Sequence, residues 1–290
     1  MKKILLGIVF LSCISSVFCT DVEKYSFITK LFKEENIGKE VKYRVDRKLS
    51  FTLPSIGYIQ YASSFNEKIK YVGKKGGGHI IESTLTEIET NNFVSGGIII
   101  TDPFWQAMDG APCLLYLDPF GTVDYIEPVY KKDHEYLQDA FDAAFNGMFE
   151  KNYLYPFGRL AQNISSGDSW MTSVDSSKFY FTIESPASFS WIEDTSTLKK
   201  VKDKKRGKIA TINNSATISI VVNIRMNILG EERFIKGQAD GTVEGKATWD
   251  VEGGYMIYYR IFSNLQGDFE MDDETFFTKL TKDESHKFLK

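Results

Sequence analysis

Histidine, cysteine and clustered carboxylates are the residues that could carry chemistry in this chain, and they are sparse. His79, His134 and His286 are the three histidines. His79 follows a glycine run at an expected hairpin tip, His134 opens an expected helix, and His286 stands in the C-terminal tail. None has a cysteine or carboxylate at a usual zinc-ligand spacing, so each reads as a surface histidine. With no serine paired to a histidine, a hydrolase triad has no support. Lys74 to His79 imitates a phosphate loop. It lacks the second Gly-Lys-Ser/Thr element and leads into a strand, so it reads as a hairpin tip. Asp272, Asp273 and Glu274 could attract calcium, but no ligands at alternating positions accompany them. Cys113 lies in an apolar run and reads as a buried, inert thiol. The expectation is a protein that is not an enzyme and uses no metal and no cofactor.

Charge narrows the partners. The chain opens Met1, Lys2, Lys3 and continues with a short apolar run from Ile4 to Leu11. That is a signal peptide with cleavage expected after Cys19, since the run is too short to span a bilayer. The mature chain is expected to be exported, periplasmic or secreted, with lipid anchoring at Cys13 or Cys19 as the competing route. Losing Lys2 and Lys3 from 35 basic and 39 acidic residues leaves a net charge of −6. A mildly acidic chain argues against nucleic acid as a partner. No later stretch has the roughly 18 apolar residues of a transmembrane span. After cleavage only Cys113 remains of three cysteines, so stability must come from packing rather than disulfides. Lys199 to Lys208 carries seven basic residues against Asp203. A solvated hairpin tip is the plain reading, and contact with anionic headgroups or an acidic partner is the sharper one.

The elements that position these residues are mostly strands. Tyr43, Val45, Leu49, Phe51 and Leu53 alternate with polar residues, interrupted only by Arg47. Ile218, Ile220, Val222, Ile224, Met226 and Ile228 do the same over roughly 35 Å of strand. Two helices are expected. Tyr25, Ile28, Leu31 and Phe32 suggest one near 21–36, and Leu137, Phe141, Ala144, Phe145 and Met148 suggest another over 132–151. A turn is expected at Gln266 and Gly267, followed by a last strand near Thr275 to Leu280.

One hairpin pattern occurs twice. Leu117-Asp118-x-x-Gly121 matches Trp249-Asp250-x-x-Gly253, and Val72 to Ile80 matches Val201 to Ile209 at a similar offset. Asp opens such turns by accepting backbone N–H groups, and Gly supplies positive φ. The fold class expected is mainly β (α+β): two similar antiparallel curved sheet units joined by an amphipathic helix, with an N-terminal helix. The expected divisions are a signal peptide at 1–19, the N-terminal helix and first sheet unit at 20–130, connecting helix and turns at 131–170, and the second unit at 171–290. With Gly167 to Trp170 added, the two hairpins resemble exported bacterial proteins of the lipoprotein-carrier-like (LolA-like) half-barrel type. The resemblance implies long antiparallel strands in a curved half-barrel with helices packed in its concave face, and it fixes no functional residue.

The segment Tyr255 to Phe262 is apolar at nearly every position, whereas an antiparallel strand usually has one wet face. It needs cover on both sides, by its own chain or by an apolar ligand or lipid. The expected cavity is lined by Ile220, Val222, Ile224, Tyr255, Ile257 and Tyr259. The expected function is an exported non-enzymatic binding protein holding such a ligand. The alternative is an envelope structural or protein-interaction protein, with an envelope protein partner and no small-molecule site.

Overall fold

The computed structural model describes residues 22–53, 57–95, 98–99, 108–129, 152–171, 187–205, 207–228, 231–271 and 273–289. Alternating side chains become long strands. They are β1 (Glu40–Leu53), β2 (Gly57–Lys75), β3 (Gly78–Thr90), β4 (Phe93–Val94), β5 (Ile98–Ile99), β6 (Pro112–Leu117) and β7 (Val123–Pro128). There follow β8 (Ser169–Met171), β9 (Ala187–Lys204), β10 (Gly207–Ile228), β11 (Glu231–Asp250), β12 (Tyr255–Met271) and β13 (Glu274–Leu289). All belong to one sheet in the order β7-β6-β3-β2-β1-β13-β12-β11-β10-β9-β8, with β4 and β5 branching from β2. Every strand pairing is antiparallel.

This corrects the expectation of two sheet units. The last strand pairs with the first, with Tyr43 opposite Phe288 and Arg47 opposite Glu284, so one sheet runs through both halves. The two repeated hairpin pairs do sit in runs of the same order, β7-β6-β3-β2 and β12-β11-β10-β9. Their registers differ: Ile81 faces Leu115, whereas Ala210 faces Trp249, two residues further along the motif. A meander has this order whatever its origin, so order alone does not show a duplication.

The N-terminal helix is also corrected. Residues 22–33 form no helix, and the described stretch before β1 holds only a 3-10 turn at Glu34–Asn36. Tyr25 exchanges backbone hydrogen bonds with Ile164 at 2.8 Å in both directions, and the Phe27 and Thr29 N–H groups donate to Ala161 and Leu154. The helical pattern omitted Phe27, which is the residue this segment buries completely. Pairing with 152–164 satisfied the backbone and outweighed a weak local propensity. The helix expected over 132–151 lies outside the described residues.

The turn expected at Gly267 is not there, because β12 runs through it to Met271. A Cβ at Gly267 would meet the Gln238 carbonyl oxygen at 1.9 Å, and one at Gly241 would meet that of Asn264 at 2.1 Å. These glycines serve close approach of β11 to β12 rather than reversal of the chain.

Candidate ligand-binding face

Register places one set of residues on a single face across the sheet. The odd positions of β1, the even positions of β10 and the odd positions of β11 up to Trp249 belong to it. Opposite them, Lys42, Asp46, Lys48, Gln238, Asp240 and Glu244 are exposed. On that opposite face, Asp46, Lys48, Tyr258, Arg260, Asp283 and Ser285 line a shallow concavity of about 310 Å³.

The inner face has two ends. The turns of β2–β3, β6–β7, β9–β10 and β11–β12 define one, and described segments off the sheet cover it. From these segments Phe27, Phe157, Ala161 and Ile164, joined by Trp170 of the edge strand β8, pack on Leu198, Ala210, Ile212, Ala247 and Trp249. The Trp170 indole N–H donates to the Phe157 carbonyl at 2.7 Å, and Phe157 meets the Trp249 ring edge-on at 5.6 Å. Beside this, Phe32, Met108 and Tyr153 pack over Tyr43, Val45, Phe65, Ile81 and Leu115. Lys30 holds the β11–β12 turn by donating to the carbonyls of Glu252 and Val251.

Asp opens both repeated turns as expected. The Asp118 carboxylate accepts from the N–H groups of Phe120 and Thr122, and that of Asp250 accepts from Gly253 at 2.7 Å. Positive φ belongs to Gly121 in the first turn but to Gly254, not Gly253, in the second.

Toward the other end the clusters are built differently. Ala216, Ile218, Ala239, Val243 and Leu265 form one cluster, with Ile220, Ile261, Phe269 and Leu280 against it. Leu53, Ile59, Val94, Ile235 and Met271 form another, with Phe51, Tyr61, Phe269 and Phe276. All of these residues come from strands of the sheet itself.

Between the two ends lies a buried ionic cluster that sequence reasoning missed. Glu284 receives Arg47 at 3.2 Å, Lys282 at 3.5 Å and His286 Nε2 at 2.5 Å. Burial pushes the Glu284 carboxyl up, but Arg47, Lys282 and His286 together outweigh it and hold it well below the usual carboxylate range. Tyr259 lies beside His286, with ring centroids 6.1 Å apart. On β2 the next carboxylate is Glu67, opposite Tyr43. Burial and Glu67 push the Tyr153 hydroxyl well above its ordinary value.

The surface reading of the histidines is corrected at two positions. His286 is 1% exposed and His79 is buried against Phe32 and Tyr71. His134 lies outside the described residues. Cys113 is buried, and burial followed by Glu67 raises its thiol pKa far above the usual range, which keeps it protonated. Lys199, Lys200, Lys202, Lys204 and Lys205 are exposed around the β9–β10 turn, while Lys208 pairs with Glu23. Among the described residues no group of three histidine, cysteine or acidic side chains could hold a metal ion.

The structure does not bring the six expected lining residues together. Ile220 faces Ala239, Val222 faces Gly237 and Ile224 faces Ile235, in the half of β10 away from the turns. Tyr259 faces Ala247, which faces Ile212. Eight residues of β10 separate that row from Ile220, about 27 Å. Ile257 has no opposite residue, because the register slips between Thr248 and Trp249 and breaks the alternation. Tyr255 instead packs on Phe288, with ring centroids 4.6 Å apart. Ile220 joins a described far-end cluster, and the side chains of Val222 and Ile224 are not among those described.

No family model matches the chain, so the lipoprotein-carrier resemblance gains no support, and no curated protein matches it. Among solved structures it is similar to lipovitellin, from a study of lipid–protein interactions, at 12% identity and a TM-score of 0.45. That likeness covers 89% of this chain and 25% of the lipovitellin chain. A mutant of the Rh. blastica porin is similar at 9% identity and a TM-score of 0.19, over 87% of this chain and 99% of the porin. Neither likeness is strong enough to carry a fold or a function across. No described helix is long and apolar enough to cross a membrane.

Proposed function

We propose that this chain is an exported, non-enzymatic protein that holds an apolar ligand, lipid in class, against the inner face of its sheet. One observation carries the reading. Among the described residues, the turn end of that face is packed by off-sheet segments of the same chain, whereas the far-end clusters hold strand residues. Ile220, Ile261, Phe269, Phe276 and Leu280 in that region are only half-buried. Each methylene a ligand buried there would contribute about 0.8 kcal/mol. A protonated, buried Cys113 favours recognition over nucleophilic catalysis.

The test is native mass spectrometry of the purified chain, together with titration by an apolar fluorescent probe. Co-purifying lipid or saturable probe binding is expected. Ile220→Asp should abolish binding and leave the far-ultraviolet circular dichroism unchanged. Absence of both lipid and probe binding in the wild type overturns the reading in favour of an envelope protein-interaction role.

A further inference from the structure

The turn end of the sheet carries lysines of two kinds. At the β2–β3 turn they are engaged within the chain. Lys74 pairs with Glu34 at 3.9 Å, and the Lys75 ammonium lies 4.8 Å from the centroid of the Tyr116 ring. At the β9–β10 turn Lys199, Lys200, Lys202, Lys204 and Lys205 are exposed, and no ion pair among the described residues engages any of them. Register explains their arrangement. Lys200 is opposite Thr211, Lys202 opposite Ile209 and Lys204 opposite Gly207, so the three share one face of β9 at intervals of about 7 Å. The pairing slips between Thr211 and Ile212, and Lys199 is the extra residue there.

The carboxylates beside them do not balance this charge. Lys208 takes Glu23 and, at 3.9 Å, Asp203. Glu252, Asp168 and Asp250 remain against the five lysines. The Glu252 carboxylate lies against Gly207, and those of Asp168 and Asp250 accept the N–H groups of Ser165 and Gly253. Arg206 completes the basic run in the sequence and lies outside the described residues. This turn is also where the N-terminal segment meets the sheet. Glu23 binds Lys208 and the Tyr25 ring lies under the same ammonium, so the exposed Val22 stands beside the turn. Three residues of chain, at most about 11 Å, separate Val22 from Cys19, where cleavage or lipid attachment is expected.

We propose that the β9–β10 turn is a docking surface for an anionic lipid bilayer. The residue type favours this partner over an acidic protein. Specific protein interfaces are depleted in lysine and enriched in arginine, whose planar fork fixes carboxylates bidentately. A lysine ammonium is a compact point charge on a flexible stem, which suits a diffuse anionic plane. Attraction to such a plane falls off within a Debye length, and the shared face of β9 brings Lys200, Lys202 and Lys204 to it together. The N-terminal chain arrives at the same place. An acyl group on Cys19 would there supply the second of the two signals that stable anchoring requires. Docking at this end does not cover the far-end clusters, and the inference stands apart from the apolar-ligand reading.

The experiment is vesicle co-sedimentation of the mature chain, produced from Thr20 onward so that it carries no acyl group. The vesicles are phosphatidylcholine alone, or phosphatidylcholine mixed equally with phosphatidylglycerol. At low ionic strength the anionic vesicles should be preferred about a hundredfold, and added salt should reduce the preference. Lys200→Gln, Lys202→Gln and Lys204→Gln together should remove most of it and leave the thermal melt unchanged, since all three side chains are exposed. Lys74→Gln with Lys75→Gln should keep it. Equal binding of both vesicles by the wild type overturns the docking surface. So does a preference that survives the triple change, or one that the double change removes as fully. Binding of polyglutamate with no preference for anionic vesicles overturns it in favour of an acidic protein partner. None of these outcomes bears on the apolar ligand, which the probe titration reads separately.

Discussion

The two ends of the inner face are made from the same sheet and solve the same problem differently. An antiparallel sheet this broad buries one face only if something covers it. At the turn end the chain supplies the cover, with strands meeting Phe27, Phe157 and Trp170 on one side and Phe32 and Tyr153 on the other. At the far end the described partners are neighbouring strands, and several aromatics stay half-exposed. Among the described residues, off-sheet segments hold the turn end, and the far end is where the proposed ligand would add cover.

The sharpest break of this comparison is a pair of aromatic truncations. Trp249 is 1% exposed and sits at the centre of the turn-end cluster. Trp249→Ala should destabilise the protein by about 3–5 kcal/mol in urea unfolding. Phe276→Ala should cost less, about 1–2 kcal/mol, because its side chain is only partly buried. The Trp249 indole N–H has no partner among the described residues, so Trp249→Phe should be far milder than the alanine variant. Similar costs for Trp249→Ala and Phe276→Ala would show that the two ends do not differ.

The boundary between the ends offers a second test, in acid. Removing Arg47 leaves Glu284 buried against Lys282 and His286 alone, and Arg47→Met should cost about 3 kcal/mol near neutral pH. The sign follows from the lowered Glu284 pKa. Its contribution is present above the ordinary value of 4.5 and is lost as pH falls through the lower folded value. Arg47→Met should therefore unfold at higher pH than the wild type when titrated with acid. An unchanged acid midpoint would mean that Arg47 does not hold Glu284 ionised.

A third, smaller effect concerns the close approach of β11 to β12. Gly267→Ala would drive a Cβ into the Gln238 backbone at 1.9 Å, at a cost of about 1–3 kcal/mol. Gly38→Ala meets nothing within 4 Å and carries only the strain of φ 84, so it should cost less. Thermal melts of the two variants compare them directly.

What could be read from the sequence followed the range of the interactions. The alternation from Tyr43 to Leu53 is local, and β1 buries Tyr43, Val45 and Leu53 as that pattern requires. Asp118 and Asp250 open their turns through bonds two to four residues long, and these too were legible. The N-terminal strap was not, because Tyr25 finds its partner at Ile164. Nor was the ionic cluster. Arg47 looked like a flaw in an apolar stripe, and Glu284, which answers it, lies 237 residues away. Lys282, Glu284 and His286 occupy inner positions of β13, so polar residues hid the period that would have marked a buried face. Of the six residues expected to line a cavity, Tyr259 lies about 27 Å along the strands from Ile220, through a pairing register that no local pattern discloses, and a bulge at Ile257 breaks the alternation from Tyr255 to Tyr259.

The smallest predicted effect lies at the turn end, at His79. Its imidazole stacks on Phe32 with centroids 4.8 Å apart and faces the Tyr71 hydroxyl at 3.3 Å through Nδ1. Burial, and then Lys74, pull its pKa below the ordinary 6.5. The unfolded chain therefore takes up the proton first. The contribution of neutral His79 is complete above 6.5 and is lost as pH falls through the lower folded value. The window lies above that of Glu284, so the two can be separated. Between about pH 7.5 and 5.5 the wild type should lose stability in urea unfolding, and His79→Gln should lose less over the same interval. Phe276→Ala, at the other end of the face, should keep the full wild-type slope. If His79→Gln and the wild type decline in parallel, His79 titrates as it would in the unfolded chain, and the packing around Phe32 is looser than the closed end of the sheet requires.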